Sequence, residues 1–382
     1  MLTIRGNNRL LNRIEKKKFK ELKGGRNMKL KKGFMLMTLL GAAMMAFAGC
    51  GSTSSSTMNQ TTEGTISAES TTNEKDAVAS ASLSLPASVT FNEEGNAVVE
   101  HKYGTTVVPK DPQRVISIKM EDLLLALDID FLAGRNFEGF YLEDEMNEKG
   151  IASLSVDEEA NTVNYEEILS YQPDLIVIRD SFDQTVYDEL NKIAPTIAFN
   201  LQDKVNSTLA IGAVFGIEDE AKARIEQYNE FLADANKKLQ EAIGDETVAM
   251  LRILKNEIRL YPYSANEMSD FLYAEEGLGL QPDPIAVEYD TAENLAISME
   301  TLPDLKAENI ILIAGYGSAD QESVEAAKVR YDEIKADPLW KKVPAVQSGK
   351  VYEVDSRIWL NHGIICTEKK VQELVDLLTT NK

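Results

Sequence analysis

The sequence predicts an α/β protein built from two lobes that one long helix connects. Three observations support this prediction. Short apolar segments alternate with helical patterns from residue 115 onward, as in βαβ units with parallel sheets covered on both faces. Residues 219–243 contain no glycine or proline and have the amphipathic pattern of a single helix, about 35 Å long. A fifteen-residue stretch in the first series, 164–178, also aligns without gaps on 298–312 in the second.

The N-terminal residues have the pattern of a sorting signal. Residues 1–27 are basic and lack an apolar core, which favours Met28 as the true start. From Met28, a cationic segment and about fifteen mostly apolar residues have the layout of a signal peptide. The final residues, Phe47-Ala48-Gly49-Cys50, resemble a bacterial lipoprotein signal, in which the cysteine is lipidated and becomes the new N-terminus. Phe47 replaces the usual leucine, and the alternative is an ordinary secretion signal with a chance cysteine.

Residues 50–88 are predicted to form a flexible linker behind the lipidated Cys50. They hold almost no aromatic or branched apolar side chains, so they cannot bury enough surface to offset the loss of chain entropy on folding. We expect residues 1–49 to be an extension and a signal peptide. The linker then holds a globular body away from a membrane surface.

Composition excludes several classes of function. The chain has 40 Lys+Arg and 62 Asp+Glu. The first 49 residues hold 12 of the basic and 2 of the acidic residues. The remaining chain, from Cys50 onward, therefore has 28 basic and 60 acidic residues, a net charge of −32. Nucleic acid is not an expected partner, because phosphate binding needs a basic face. The chain has only two cysteines and two histidines, so it has neither a set of ligands spaced for zinc nor a disulfide framework. The sequence also contains no glycine-rich phosphate-binding loop and no GxSxG motif of the kind that carries a nucleophilic serine. An enzyme is not expected.

The first lobe is predicted over residues 89–217. The segments VISI (115–118), FLAG (131–134), DLIVI (174–178) and TIAF (196–199) are its strands, with a helix through EDLLLALDI and another near Gln184–Ile193. The helix over 218–244 connects this lobe to the second, which is predicted over 245–382. Strands of the second lobe are VAMLRIL (248–254), NIILIA (309–314) and KVYEV (350–354), followed by a helix at 367–378.

The internal match places two glutamates at equivalent positions. Asn164 and Ser298 are residues that favour a helix start, and Glu166 and Glu300 follow each of them by two positions. A strand is predicted to begin ten residues after each glutamate. Both glutamates are therefore expected two residues into a helix, exposed to solvent, one on each lobe. The alternative is that they only favour a helix N-terminus electrostatically.

Five segments in order resemble a known family. They are EHKYGTTVVPKDPQRVISI (100–118), NYEEILSYQPDLIVI (164–178), LRILKNEIRLYPYSANEMSDFLYAEEGLGL (251–280), SMETLPDL (298–305) and DPLWKKVPAVQSGKVYEVDSRIWL (337–360). Together they resemble the substrate-binding lipoproteins of iron–siderophore ABC importers over about residues 98–378. This resemblance implies two Rossmann-like lobes with a ligand cleft between them, and a monomer that delivers a ferric siderophore to the permease. It also implies that Glu166 and Glu300 engage arginines on the two permease subunits.

The cleft is expected where loops follow the carboxyl ends of strands, since open α/β sheets bind ligands there. Ferric chelates are large, polar and often anionic, which suits arginine donors beside aromatic faces. The candidate ligand-binding residues are Lys119, Arg135, Tyr141, Arg179, Arg252, Arg259, Tyr261, Tyr316, Arg357, Trp359 and His362.

The class of chelate is left open by the sequence. Several arginines favour an anionic complex, whereas the segments around LRILKNEIRLY and DSRIWL resemble those of hydroxamate binders. No cofactor is expected besides the Fe(III)–siderophore ligand, and two histidines argue against a bare transition metal. The alternative is a protein of the same fold that binds haem or a corrinoid. A more distant alternative is an exported enzyme.

Overall fold

The computed structural model describes residues 89–157, 160–264, 268–290, 295–315 and 321–380. The predicted signal peptide, Cys50 and the linker lie outside these ranges. None of the helices in the described residues is both long enough and apolar enough to cross a membrane.

The described elements alternate between strand and helix along most of the chain. The strands are β1 Val89–Phe91, β2 Ala97–His101, β3 Gly104–Val108, β4 Val115–Ile118, β5 Ala133–Arg135, β6 Ala152–Leu154, β7 Val156–Asp157, β8 Thr162–Val163, β9 Leu175–Arg179, β10 Thr196–Phe199, β11 Thr247–Ile253, β12 Ile258–Leu260, β13 Gln281–Pro282, β14 Leu295–Ile297, β15 Asn309–Ala314 and β16 Val351–Val354. The α-helices are α1 Glu121–Ala126, α2 Glu143–Glu148, α3 Tyr165–Ser170, α4 Gln184–Ile193, α5 Lys204–Phe215, α6 Glu218–Ile243, α7 Asp270–Tyr273, α8 Pro284–Glu288, α9 Gln321–Ala336, α10 Pro344–Ser348, α11 Ser356–Trp359 and α12 Ile364–Thr380.

The first sheet is parallel and has the strand order β10-β9-β4-β5-β6. Every residue of β4 is buried, as expected for a strand covered on both faces by helices. The strand segments predicted at 115–118 and 196–199 and the helix predicted at 184–193 are confirmed. An antiparallel sheet, β1-β2-β3, precedes this sheet and was not predicted.

The second sheet is mixed rather than parallel. Its main order is β14-β12-β11-β15-β16, and β12 runs antiparallel to both β11 and β14. The pairs of β11 with β15 and of β15 with β16 are parallel, as predicted. The short β12 turns back from the carboxyl end of β11, which adds an antiparallel edge to the sheet.

Helix α6 carries the chain from the first sheet to the second. It has 26 residues, and its buried side chains, among them Ile225, Leu232 and Leu239, recur at helical spacing along one face. Gly216 ends the preceding helix α5 in the left-handed conformation, with φ of 69°. This conformation suits glycine and lets the chain turn directly into α6.

One buried apolar cluster extends through both lobes. It includes Val177 of the first sheet, Leu232 of α6, Leu374 of α12 and Ile311 of the second sheet. Two further clusters cover the outer faces of the sheets, one in each lobe. The C-terminal helix α12 packs against α6 and also against α1 of the first lobe. The lobes are therefore joined by a shared core as well as by the chain.

Asp122 of α1 caps the C-terminal helix of the other lobe. Its Oδ1 accepts a hydrogen bond from the N–H of Ile365 at 3.1 Å, and its Oδ2 accepts one from the N–H of Cys366 at 2.8 Å. Tyr141 donates its hydroxyl to the same Oδ2 at 3.0 Å. Gly363 has φ of 122°, and a Cβ atom at this position would overlap the Asp122 side chain. The first turn of α12 thus depends on a carboxylate from the first lobe.

Candidate functional site

Basic residues follow the carboxyl ends of strands in both sheets. In the first sheet, Arg135 and Arg179 end β5 and β9, and Lys119 follows β4 directly. In the second sheet, Arg252 is the penultimate residue of β11, and Arg357 lies just beyond β16. Since carboxyl ends of parallel strands meet at one edge of a sheet, each lobe has a basic edge.

The two carboxyl edges meet. A Cβ atom added to Gly139, in the loop after β5, would overlap Nη1 of Arg357 from the second lobe. Tyr141 in the same loop donates its hydroxyl to the carbonyl oxygen of His362 at 3.3 Å. Loops of both lobes therefore form one continuous surface, as expected for a site between lobes.

Glu121 organises the basic edge of the first lobe. Its Oε1 accepts hydrogen bonds from the N–H of Lys119 at 2.9 Å and from the N–H of Arg135 at 2.8 Å. Burial raises the pKa of Glu121, while the charge of Arg135 and these hydrogen bonds lower it. Lys119 adopts φ of 64°, in the left-handed region, and donates its ammonium to Oδ1 of Asn161 at 2.9 Å. The buried carboxylate thus fixes the backbone at the ends of two neighbouring strands.

Arg135 and Lys119 also lie against aromatic rings. The Arg135 guanidinium carbon is 4.7 Å from the ring centroid of Phe140 and 5.0 Å from that of Phe137. The Lys119 ammonium is 5.2 Å from the ring centroid of Phe182. These contacts hold both cations in defined positions.

Two arginines lie opposite each other in the second lobe. Arg252 of β11 pairs in register with Arg259 of β12. Arg252 donates its Nε–H to the carbonyl oxygen of Gly315 at 3.1 Å, and Arg259 forms an ion pair with Glu257 at 2.6 Å. Both arginines are half-buried and lie at the carboxyl end of β11.

His362 lies among cations from both lobes. Burial and the charges of three cations lower the pKa of its imidazole well below the usual value, so the ring is neutral at neutral pH. The cations are Lys370 on α12, Arg179 at the end of β9 and Lys204 at the start of α5. Charges from both lobes therefore act on this imidazole.

Lys204 and Lys370 were not predicted. Lys204 follows the carboxyl end of β10 by a short loop, so the rule that selected Lys119 and Arg179 could have found it. Lys370 is only 2% exposed and occupies the apolar stripe of α12 between Cys366 and Leu374. A lysine at an otherwise apolar helical position was the available signal in the sequence.

Three aromatic residues predicted for the cleft lie in the core instead. Trp359 is fully buried and donates its indole N–H to Oε2 of Glu373 at 2.6 Å. Tyr261 is 2% exposed and belongs to the apolar cluster shared by the lobes. Tyr141 is 9% exposed, and its hydroxyl donates a hydrogen bond to the Asp122 carboxylate. We revise the prediction for these side chains, because a ligand at the surface of the cleft cannot reach buried rings. Tyr316 lies outside the described residues.

Glu166 and Glu300 are both exposed. Glu166 is the second residue of α3, whose N-cap Asn164 accepts a hydrogen bond from the N–H of Glu167 at 3.2 Å. Glu300 lies in a turn before a short 3-10 helix, Leu302–Asp304, so the helix predicted around it is corrected to a turn. A hydrogen bond from the Ser298 hydroxyl lowers the pKa of Glu300. Strands β9 and β15 begin nine residues after the respective glutamates, not ten as predicted, and the equal spacing supports the internal match.

Comparison with known proteins gives a family match. The model of the family described as periplasmic binding protein matches residues 143–358. This range covers more than half of the chain and includes most of both lobes.

Similar proteins include siderophore-binding and iron(3+)-hydroxamate-binding proteins. The chain is 29% identical to the probable siderophore-binding lipoprotein YfiY of Bacillus subtilis, over 74% of this chain and 86% of that protein. It is 23% identical to the iron(3+)-hydroxamate-binding protein FhuD of Bacillus subtilis, over 72% of this chain and 84% of that protein. The crystal structure of Staphylococcus aureus SirA complexed with staphyloferrin B has the same fold, with a TM-score of 0.61 and 22% sequence identity. The match covers 74% of this chain and 98% of SirA. These names confirm the expectation of a binding protein rather than an enzyme.

Proposed function

The chain belongs to the periplasmic binding protein family, and on that premise we propose that it captures a ferric siderophore and delivers it to the permease of an ABC importer. The observation that carries this proposal is the position of basic side chains at the carboxyl edges of both sheets, whose loops meet at Gly139 and Arg357. Arginine and lysine donors suit the oxygen-rich surface of a ferric chelate. The relatives named for siderophore and hydroxamate binding support the same class of ligand.

The proposed ligand-binding residues are the basic ones at the cleft surface. They are Lys119, Arg179, Arg252, Arg259, Arg357 and His362, with Tyr316 retained from the sequence; Arg135 is only 8% exposed and is withdrawn from this set together with the three buried aromatic residues. Most of them are already held by hydrogen bonds or rings, so little side-chain entropy is lost when a ligand binds.

We further propose that Glu166 and Glu300 dock the chain on the permease. Their exposure on separate lobes and their equivalent positions support this role. Charged groups at the rim of an interface mainly set the rate and register of docking.

The proposed place of action is extracytoplasmic. The signal-peptide pattern and the Phe47–Cys50 motif support a lipid anchor on Cys50, with the chain acting as a monomer. Labelling growing cells with a radioactive fatty acid tests the anchor, because a Cys50→Ser variant should lose the label.

Calorimetric titration of the purified chain tests the proposed ligand. The panel contains ferric hydroxamate, catecholate and carboxylate complexes, together with haem and cobalamin. At least one ferric complex should bind with a Kd below about 1 μM, which corresponds to about −8.2 kcal/mol. Tight binding of haem or cobalamin, with failure of every ferric complex, would contradict the proposed function.

A further inference from the structure

Two antiparallel strand pairs outside the parallel sheet of the first lobe, β2–β3 and β7–β8, hold the loop between β9 and α4. This loop, residues 180–183, follows Arg179 directly. Three consecutive backbone carbonyl groups of the loop each accept a hydrogen bond from a side chain. The donors and acceptors are Lys102 and Asp180 at 2.7 Å, Asn161 and Ser181 at 2.8 Å, and Tyr103 and Phe182 at 2.6 Å. These bonds fix a backbone segment that no strand or helix pairs.

Tyr103 lies in the turn between β2 and β3 and is itself fixed by packing. Its ring stacks on that of Tyr187 of α4, with the centroids 4.6 Å apart and the planes inclined by 15°. Its backbone N–H donates to Nδ1 of His101 at 3.3 Å, and Nε2 of His101 lies 3.0 Å from the hydroxyl oxygen of Thr106. The phenol hydroxyl is therefore held against the loop in one orientation.

Asn161 connects the loop to Lys119. It directly precedes β8 and has φ of 49°, in the left-handed region. Its side-chain amide donates to the carbonyl oxygen of Ser181, and its Oδ1 accepts a hydrogen bond from the Lys119 ammonium at 2.9 Å. The ring of Phe182, which is 1% exposed, lies 5.2 Å from the same ammonium. Two groups that are tied to the loop thus hold the Lys119 side chain.

We propose that the two strand pairs clamp the β9–α4 loop and thereby position the Lys119 ammonium for the ligand, so that Tyr103 and Asn161 are positioning residues. This inference rests on the proposed function, in which Lys119 contacts the ligand. A lysine side chain has many rotamers, and holding it in one of them before binding lowers the entropy that is lost on binding. Glu121 fixes the backbone of Lys119, and the clamp fixes its side chain.

The decisive variants are Tyr103→Phe and Asn161→Gly. The first removes the hydroxyl and keeps the stacked ring. The second removes both side-chain hydrogen bonds, and glycine adopts a positive φ without strain. The matched control for the first is Tyr187→Phe, which removes a hydroxyl that lies 3.1 Å from that of Thr106 and does not contact the loop. The control for the second is Gln172→Gly, at a position of the same lobe where φ is 47°.

The first measurement needs no ligand. The full chain is treated with a trace of acetic anhydride, and acetylation of each lysine is quantified by mass spectrometry after proteolysis. In both decisive variants the Lys119 amine should react about three to ten times faster, because a hydrogen bond that occupies it is lost or loosened. Lys238, an exposed lysine on α6, is the internal reference. Both control variants should leave Lys119 unchanged. An unchanged rate at Lys119 in either decisive variant would overturn the inference.

The second measurement combines each decisive variant with Lys119→Gln. Ferric trihydroxamate, tricatecholate and citrate complexes are titrated by calorimetry, and the one that the unaltered chain binds most tightly is used throughout. Tyr103→Phe and Asn161→Gly should each weaken its binding about three- to tenfold, and should have no further effect once Lys119 is replaced. Tyr187→Phe should lower the stability of the chain and leave its affinity unchanged.

The outcomes separate this inference from the proposed function. Unchanged affinity in the decisive variants, or the same loss of affinity with and without Lys119, would overturn the inference and leave the proposed function standing. Failure of every ferric complex to bind the unaltered chain would overturn the proposed function and, with it, the role of the clamp in binding. In that event the acetylation rates still show whether the clamp holds Lys119.

Discussion

At the scale of single residues, burial separates three aromatic candidates from all the basic ones except Arg135. Trp359 and Arg357 are two positions apart in α11, yet the indole is fully buried and the guanidinium is partly exposed beside Gly139. The sequence does not show whether the side chain of an aromatic residue that follows a strand points into the cleft or into the core. Its direction is decided by the neighbouring helix, here through Glu373 of α12.

Replacing Trp359 with Phe should affect stability rather than binding. The change leaves the half-buried Glu373 carboxylate without its indole donor and opens a small void. The free energy of unfolding should fall by about 1–3 kcal/mol, measured by urea denaturation. Trp340→Phe, in the separate core of the second lobe, is the matched control. A tenfold loss of ligand affinity with little change in stability would restore Trp359 to the binding site.

Exchange of Glu166 or Glu300 for Ala should impair transport alone. Loss of one charge-assisted contact should lower siderophore uptake by cells about tenfold at low salt, and less at high salt. Ligand affinity and thermal stability should stay unchanged, because both side chains are exposed. Exchange for Arg should be worse, since like charges would then meet. Glu226→Ala, another exposed glutamate on α6, is the control. Full uptake by the double Ala variant would rule out the docking role.

At the scale of elements, α12 is stabilised at its N-terminus by the other lobe. Burial raises the pKa of Asp122 to about 6, although the hydrogen bonds from Cys366 and Tyr141 lower it. The Asp122 carboxyl therefore binds a proton more readily in the folded chain than in the unfolded chain, where its pKa is 3.8. Its contribution to stability is fully present below about pH 4 and is lost as the pH rises through about 6.

Asp122→Asn should remove this pH dependence. Compared with the variant, the unaltered chain should lose up to about 3 kcal/mol of unfolding free energy between pH 4 and pH 7. At neutral pH the variant should still be less stable, because an amide NH2 cannot accept the hydrogen bonds of Tyr141 and Cys366. Urea denaturation of both proteins from pH 4 to pH 7 measures the difference. A constant difference over this range would show that Asp122 does not titrate there.

The longer elements could be predicted from sequence, and the short edge strands could not. Buried strands such as β4 and β15 are continuous apolar runs, and α6 has an uninterrupted helical period. Strand β12 has only three residues, with Arg259 in the middle, and forms because it pairs with β11 and β14. Pairing with distant residues leaves no local signal. For the same reason, the sequence identified Arg357 but not its contact with the loop at Gly139.

At the scale of the whole molecule, the two lobes share a core. The cluster that contains Val177, Leu232 and Ile311 is continuous, and Arg224 of α6 forms two hydrogen bonds with Glu368 of α12, at 2.9 and 2.7 Å. Opening the lobes apart would expose this apolar surface to water, at a free-energy cost proportional to its area. Ligand binding should therefore involve small movements of the loops.

Unfolding should accordingly be a single cooperative transition. Both tryptophans lie in the second lobe and report on its unfolding by fluorescence. Hydrogen exchange of strand β9 reports on the first lobe. The two probes should give the same urea midpoint, because loss of either lobe exposes the shared cluster. Midpoints that differ by more than about 1 M would show that the lobes unfold independently.

The cap that Asp122 provides for α12 constrains how such chains can be recombined. A chimera that takes its first part from one homologue and everything after α6 from another would separate Asp122 from the backbone amides of Ile365 and Cys366. The first homologue would need to supply an acceptor at 122 and the second a glycine at 363, since a side chain at 363 overlaps the carboxylate. A second crossover between Trp359 and Gly363, which returns to the first homologue, would keep α12 together with the first lobe. Because of these contacts, α12 and the first lobe have to come from the same homologue, although they lie at opposite ends of the described chain.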